Sequence, residues 1–318
     1  MKPKHVWAAA ATASFLGWRA IRRHRRDIEL TDRVALITGG TRGLGLYLAR
    51  ELARQGCKLV ICARDEEELA CARQDLEPRG ARLLAVRCDV GVPEDVQSLV
   101  AQANARFGQI DILINNAGII QVGPLATMTV DDFAQAMATN FWGGVHTTLA
   151  VLPQMRARKS GRIVNITSIG GQVPVPHLLP YDCAKFAAQG FSEGLHAELA
   201  ADGIVVTTVV PGLMRTGGPR HAFYKGARTE EHAWFAAADS MPITSMSAVS
   251  AARRIVLACR RGESQLTLTW QAKLLRLVHA LLPGMTTELL GQVSRLLPGS
   301  SGPSPRLALR GATVEQAG

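Results

Sequence analysis

Short apolar strands alternate with helices along most of this chain, and that alternation leaves it few folds to adopt. Val34–Thr38, Lys58–Cys62, Arg82–Cys88, Ile110–Ile114, Arg162–Thr167 and Ile204–Val210 read as strands. Helical stretches separate them over Leu44–Gln55, Glu66–Leu76, Val96–Phe107, Phe133–Arg156 and Tyr181–Ala201. A strand that is apolar on both faces is buried on both, so helices must cover both sides of a parallel sheet. The pattern predicts an α/β fold on a doubly wound parallel sheet of about seven strands.

A Gly-rich turn, Thr38-Gly39-Gly40-Thr41-Arg42-Gly43-Leu44-Gly45, joins the first strand to the first helix. Glycine there permits positive φ and lets a phosphate approach the backbone. The helix N-terminus offers unpaired N–H groups and a partial positive charge to a pyrophosphate. A plain tight turn has a similar composition, but the position at the first strand–helix junction points to a Rossmann-type dinucleotide site. Further along, Tyr181 and Lys185 stand at i and i+4, on one face of a helix. A free phenol titrates near 10, roughly three units above neutrality. A neighbouring ammonium favours the phenolate and lowers that value, which gives the pairing a chemical reason. Taken alone, the pair is equally an amphipathic helix with a snorkelling lysine.

The ordered set of motifs resembles the classical short-chain dehydrogenase/reductase family. The turn has TGxxxGxG spacing, and Asn115-Asn116-Ala117-Gly118 follows the fourth strand. Asn140 lies in the long helix, and Ser168 follows the fifth strand. Thirteen residues later comes Tyr181-Asp182-Cys183-Ala184-Lys185; Pro211-Gly212 follows the sixth strand, with Thr216 close behind. The match covers about residues 31–262. It implies a nicotinamide-dependent oxidoreductase, similar to membrane-associated hydroxysteroid, retinol-type or carbonyl-reductase members. It implies catalytic roles for four residues. Tyr181 would exchange the proton on the substrate oxygen, and Ser168 would hydrogen-bond that oxygen. Lys185 would hold the nicotinamide ribose, and Asn140 a relay water. It implies cofactor contacts from Gly39, Thr41, Arg42, Gly43, Leu44 and Gly45 in the turn, and from Arg64, Asp89 and Val90. Others would come from Asn116, Ala117, Gly118, Tyr181, Lys185, Pro211, Gly212 and Thr216. A homodimer or homotetramer built on the long helices is also implied, and no metal. A binding-only protein on the same fold is the rival, but it has no chemical need for Ser168, Tyr181 and Lys185 together.

The end of the second strand bears on the choice of cofactor. An acid there accepts hydrogen bonds from the ribose hydroxyls and repels a 2′-phosphate. Ala63 holds the position here, Arg64 follows it, and Arg42 adds a second guanidinium. Two arginines can clamp a phosphate, so NADP(H) is expected over NAD(H). Asp65 reverses this if the alignment slips by two residues. The segments flanking the substrate side contain Val173, Val175, His177, Leu178, Leu179, Leu213, Met214, Phe223, Tyr224, Trp234 and Phe235. They predict a small apolar carbonyl or alcohol substrate.

Net charge is +10, unevenly spread. Residues 1–26 carry seven Lys/Arg and no acid, residues 252–318 carry nine against three, and the body is mildly acidic. Basic ends beside apolar segments point to an anionic membrane surface rather than to nucleic acid. Val6–Trp18 is apolar and an arginine run follows it, but a span needs about twenty residues. Anchoring at a cytoplasmic membrane face is expected. Trp270–Leu282 reads as a basic amphipathic helix, compatible with an interfacial site, pocket closure or a subunit contact. The expected division is an N-terminal anchor or helix over 1–30, a catalytic unit over 31–262, and an extension over 263–318. That extension is expected to end in a flexible tail from Ser300. The six cysteines show no metal or disulfide spacing and read as buried thiols, with Cys183 a packing residue.

Overall fold

The computed structural model describes residues 26–240, 245–300 and 308–317. Its centre is a parallel sheet of seven strands: β1 (Val34–Thr38), β2 (Lys58–Ala63), β3 (Arg82–Arg87), β4 (Ile112–Asn115), β5 (Gly161–Ile166), β6 (Ile204–Val210) and β7 (Gln265–Thr267). Their order across the sheet is β7-β6-β5-β4-β1-β2-β3, so the winding reverses between β1 and β4. Ligands of open α/β sheets sit at the carboxyl ends of the strands beside such a reversal.

Alternation along each strand divides the core in two. Ala35 and Ile37 of β1 face α1 (Gly43–Arg54), α2 (Glu66–Leu76) and α8 (Ala248–Arg261). Val34 and Leu36 face α3 (Pro93–Phe107) and α5 (Gly143–Ala157). The remaining elements named below are α4 (Val130–Met137), α6 (Leu179–Glu198), α7 (Arg228–Ser240), α9 (Trp270–Leu281), α10 (Pro283–Ser294) and α11 (Gly311–Ala317).

Several expectations need correcting. The long helix expected over Phe133–Arg156 is α4 and α5 joined through a π turn at Ala138–Trp142, and Asn140 sits in that turn. Such insertions re-aim a side chain out of the regular helical register. The catalytic sheet does not end at residue 262, because β7 pairs with β6 through Gln265–Thr267. α9 stops at Leu281, and Pro283 opens the separate helix α10, where its missing N–H costs nothing. Residues 308–317 are not a loose tail. Leu309-Arg310 pairs antiparallel with Phe223-Tyr224, and α11 follows. A Ser/Pro/Gly-rich average hid two apolar anchors, Leu309 and Val314, which pack against Tyr224 and its neighbours. Cys183 is exposed, as is Cys71, while the other four thiols are buried and free. The apolar stretch Val6–Trp18 and the arginines up to Arg25 lie outside the described residues. Among those described, no helix is long and apolar enough to cross a membrane.

Candidate active site

Two adjoining clefts open along the carboxyl ends of β1, β4, β5 and β6. The Gly-rich turn shapes the first. Gly39 has φ +62°, a conformation costly for other residues, and a β-carbon on Gly45 would collide with the Gly39 carbonyl. Asn116 braces the turn, its amide donating to the carbonyls of Thr38 (3.0 Å) and Gly39 (3.1 Å). Arg42 occupies the N-cap of α1 without a side-chain cap, so the first N–H groups of the helix face the cleft uncapped. A backbone this close, with N–H groups aimed at it, fits the pyrophosphate of a dinucleotide.

The structure brings Gly39, Thr41, Arg42, Gly43, Leu44, Gly45, Arg64, Asp89, Val90, Asn116, Ala117, Gly118 and Thr216 to this first cleft. Asp65 lies nearby, but its carboxylate accepts from Glu67 N (2.9 Å) and Glu68 N (3.2 Å), capping α2. Glu68, passed over in the sequence, accepts from Thr41 Oγ1 at 3.0 Å and pairs with Arg42 at 3.2 Å. Its signal was its place three residues after the cap, on the helical turn facing the Gly-rich loop.

The second cleft holds Asn140, Ser168, Tyr181, Lys185, Pro211 and Gly212. Val175, Leu178, Leu213, Met214, Trp234 and Phe235 give it apolar walls. It shares Leu44, Asn116, Gly118, Ile120, Thr216 and Gly218 with the first cleft, so the two are continuous. Not every expected wall residue lines it. Val173 is buried in the core, and Phe223 turns to the first cleft. His177 has φ +66° and a largely covered side chain, its Nδ1 2.7 Å from Glu231, whose other oxygen accepts from Trp234 Nε1 at 2.6 Å. That carboxylate ties two pocket-wall segments together.

Electrostatics in the second cleft are set by burial. Tyr181 is pushed up to about 12 by burial, only partly opposed by a hydrogen bond with Ser168. The lowering expected from Lys185 does not prevail. Its Nζ donates to the Ile166 carbonyl at 3.0 Å and sits 5.6 Å from the centre of the Tyr181 ring. Lys185 is itself lowered to about 8 by burial. Asp182, also passed over, is buried beside Tyr181 and raised to about 8 by burial, while accepting from Val175 N at 2.7 Å. Asn140 exchanges both amide contacts with Ile119, at 3.0 and 3.1 Å, and its oxygen lies close to Gly118.

Comparison with known proteins agrees with this geometry. The family described as short chain dehydrogenase matches residues 33–223. A dehydrogenase/reductase SDR family protein 7-like from Anopheles gambiae is 34% identical over 253 residues, 78% of each protein. A variant of actinorhodin polyketide ketoreductase solved with NADPH is 31% identical, with a TM-score of 0.67 over 74% of this chain and 95% of that one. A short-chain dehydrogenase/reductase from Burkholderia phymatum solved with NAD is 25% identical, with a TM-score of 0.70 over 87% and 99%. With the sheet order and the two joined clefts, these likenesses place the chain in the short-chain dehydrogenase/reductase family, as an NAD(P)-dependent oxidoreductase of Rossmann-type fold.

Proposed function

We propose that the chain is an NADP(H)-dependent reductase of a small apolar ketone or aldehyde, and the reverse dehydrogenase of the alcohol. One observation carries the reading: Ser168, Tyr181 and Lys185 converge at the polar end of an apolar pocket continuous with the dinucleotide cleft. When bound, the dinucleotide supplies or accepts the hydride. Residues of the chain handle the oxygen and its proton. A phenol held near 12 is neutral at working pH, so Tyr181 is a proton donor to a carbonyl oxygen as charge develops on it. Ser168, which partly offsets the effect of burial on the phenol, steadies that charge. Lys185 positions the phenol's surroundings and the ribose, and Asn140 holds the water that reconnects Lys185 to solvent.

Three features support NADP(H). Ala63 ends β2 where an acid would repel a phosphate. The Asp65 carboxylate is committed to α2. Arg42 and Arg64 both line the cleft, although a phosphate must compete with Glu68 for Arg42. Charge-assisted hydrogen bonds contribute about 1.5–3 kcal/mol each. Arg64→Ala is therefore expected to raise the KM for NADPH roughly 10–100-fold and to leave that for NADH nearly unchanged. The test is dinucleotide oxidation over a panel of apolar ketones and aldehydes. A strong NADH preference overturns the cofactor assignment, and silence across the panel overturns the substrate class.

The reading extends to oligomers and a membrane surface. Trp142 beside α5, Leu149 on it and Phe186 on α6 are exposed, which supports a homodimer or homotetramer built on these helices. A monomer in light scattering would refute that. On α9 and α10, Trp270 (64% exposed), Leu274, Leu277, Leu281 (69%) and Leu289 leave an apolar surface uncovered, with Lys273 and Arg276 beside it. This supports an interfacial membrane contact. The protein is expected to float with anionic vesicles, and Leu277→Glu with Leu281→Glu to release it. Equal recovery with and without vesicles would end the idea.

A further inference from the structure

A third guanidinium reaches the dinucleotide cleft from the far end of the chain. Arg310 lies on the Leu309-Arg310 strand, and its side chain lines the cleft together with Arg42 and Gly43. The strand is firmly held. Gly311 N donates to the Ala222 carbonyl at 2.9 Å, and a β-carbon on Gly311 would collide with the Pro219 carbonyl. Val314 is buried against Tyr224, and Glu315 pairs with Arg220 at 3.0 Å. The guanidinium is thus presented on an ordered element.

Its charge balance differs from that of its neighbours. Arg42 faces Glu68 at 3.2 Å and Arg64 faces Asp89 at 3.7 Å. Among the described residues no carboxylate pairs with Arg310, whose guanidinium carbon lies 5.6 Å from the Phe223 ring centre. Phe223 lines the same cleft. Arg42 and His221 are both lowered, first by burial and further by neighbouring cations that include Arg310. Cations gathered at one cleft repel one another until an anion lies among them. A dinucleotide brings such anions, two in its diphosphate and one more in a 2′-phosphate.

We propose that Arg310 binds a phosphate of the dinucleotide, and that residues 308–317 form a strap that makes the C-terminal segment part of the cofactor site. This rests on the dinucleotide reading of the cleft but not on the preference for NADP(H). The guanidinium chemistry is the same for the diphosphate and for the 2′-phosphate, and the two dinucleotides separate them.

The full-length protein, Arg310→Ala and Arg310→Lys are titrated with NADPH and with NADH by calorimetry at low and high salt. Arg310 is exposed, so melting temperatures are expected to stay together. Arg310→Ala is expected to weaken NADPH binding roughly tenfold or more and to flatten its salt dependence, and the lysine variant to recover part of both. Equal weakening of NADH assigns the contact to the diphosphate, and unchanged NADH assigns it to the 2′-phosphate. Affinities of Arg310→Ala within twofold of wild type for both dinucleotides overturn the proposal. A wild-type preference for NADH would remove the NADP(H) assignment and leave Arg310 to be judged on NADH. A wild type that binds neither dinucleotide overturns both.

Discussion

Tyr181→Phe is expected to lower turnover by about 10²–10⁴-fold, the contribution of a positioned proton donor. Dinucleotide affinity should stay near that of wild type, because the ring remains and only the hydroxyl is lost. The reason lies in the pocket walls. Burial holds the phenol at about 12, so a proton is always present to be donated. A second signature should appear in the pH profile of the wild-type reduction. Lys185 titrates at about 8. Its ammonium is present below that pH, so kcat/KM for reduction should decline as pH rises through about 8. Near-normal turnover by Tyr181→Phe would remove the residue from the mechanism, and a flat profile from pH 6 to 9 would remove Lys185.

Lys225→Met is expected to cause the largest loss of stability. Lys225 Nζ lies 2.6 Å from Asp132 Oδ2, with side chains 6% and 8% exposed. Removing one partner of a buried pair costs about 3–5 kcal/mol, because a buried charge is left behind. Asp132 keeps hydrogen bonds from Thr129 N and Oγ1, at 2.7 and 2.9 Å, which places the effect near the lower end. A loss of about 3 kcal/mol corresponds to a fall in Tm of about 6–12 °C. The sign of the pH dependence follows from the Asp132 carboxyl. Burial raises it, but Lys225 and Thr129 together hold it below its ordinary value. Its folded pKa is therefore the lower one. The stabilisation is present above the unfolded value, about 4, and is lost as pH falls through the folded value. Calorimetric melts from pH 3 to 7 should converge for wild type and variant at the acid end. Parallel curves would show that the pair does not govern acid stability. The pair ties α4 to the segment that carries Phe223 and Tyr224, so its loss should also loosen the strap docked on that segment.

Much of the sheet was legible because it is local. Six of the seven strands announce themselves as continuous apolar runs, and α1, α2 and α3 by their periodicity. The seventh strand, Gln265–Thr267, is three residues long with two of them polar, too short to carry a pattern. The site was legible to the degree that its chemistry is written in short spacings. The Gly-rich turn and the Tyr181/Lys185 pair each lie within eight residues of chain. Even there, a correct pairing led to the wrong electrostatic balance. The sequence places the ammonium one helical turn from the phenol, but only packing shows that burial of both groups outweighs their attraction.

The amino-acid order by itself determined the doubly wound sheet, the Gly-rich turn and the set of residues proposed as the reaction centre. Each rests on contacts between near neighbours or on a repeat of two or 3.6 residues. Tertiary structure decided what closes around that centre. Asp65 became a helix cap and Glu68 a cleft residue, and His177 turned away to Glu231. Arg310 came to stand beside Arg42 across more than 260 residues of chain. No local period marks such a meeting. It is set by strand pairing and by the burial of two apolar side chains, and these act only once the sheet has formed.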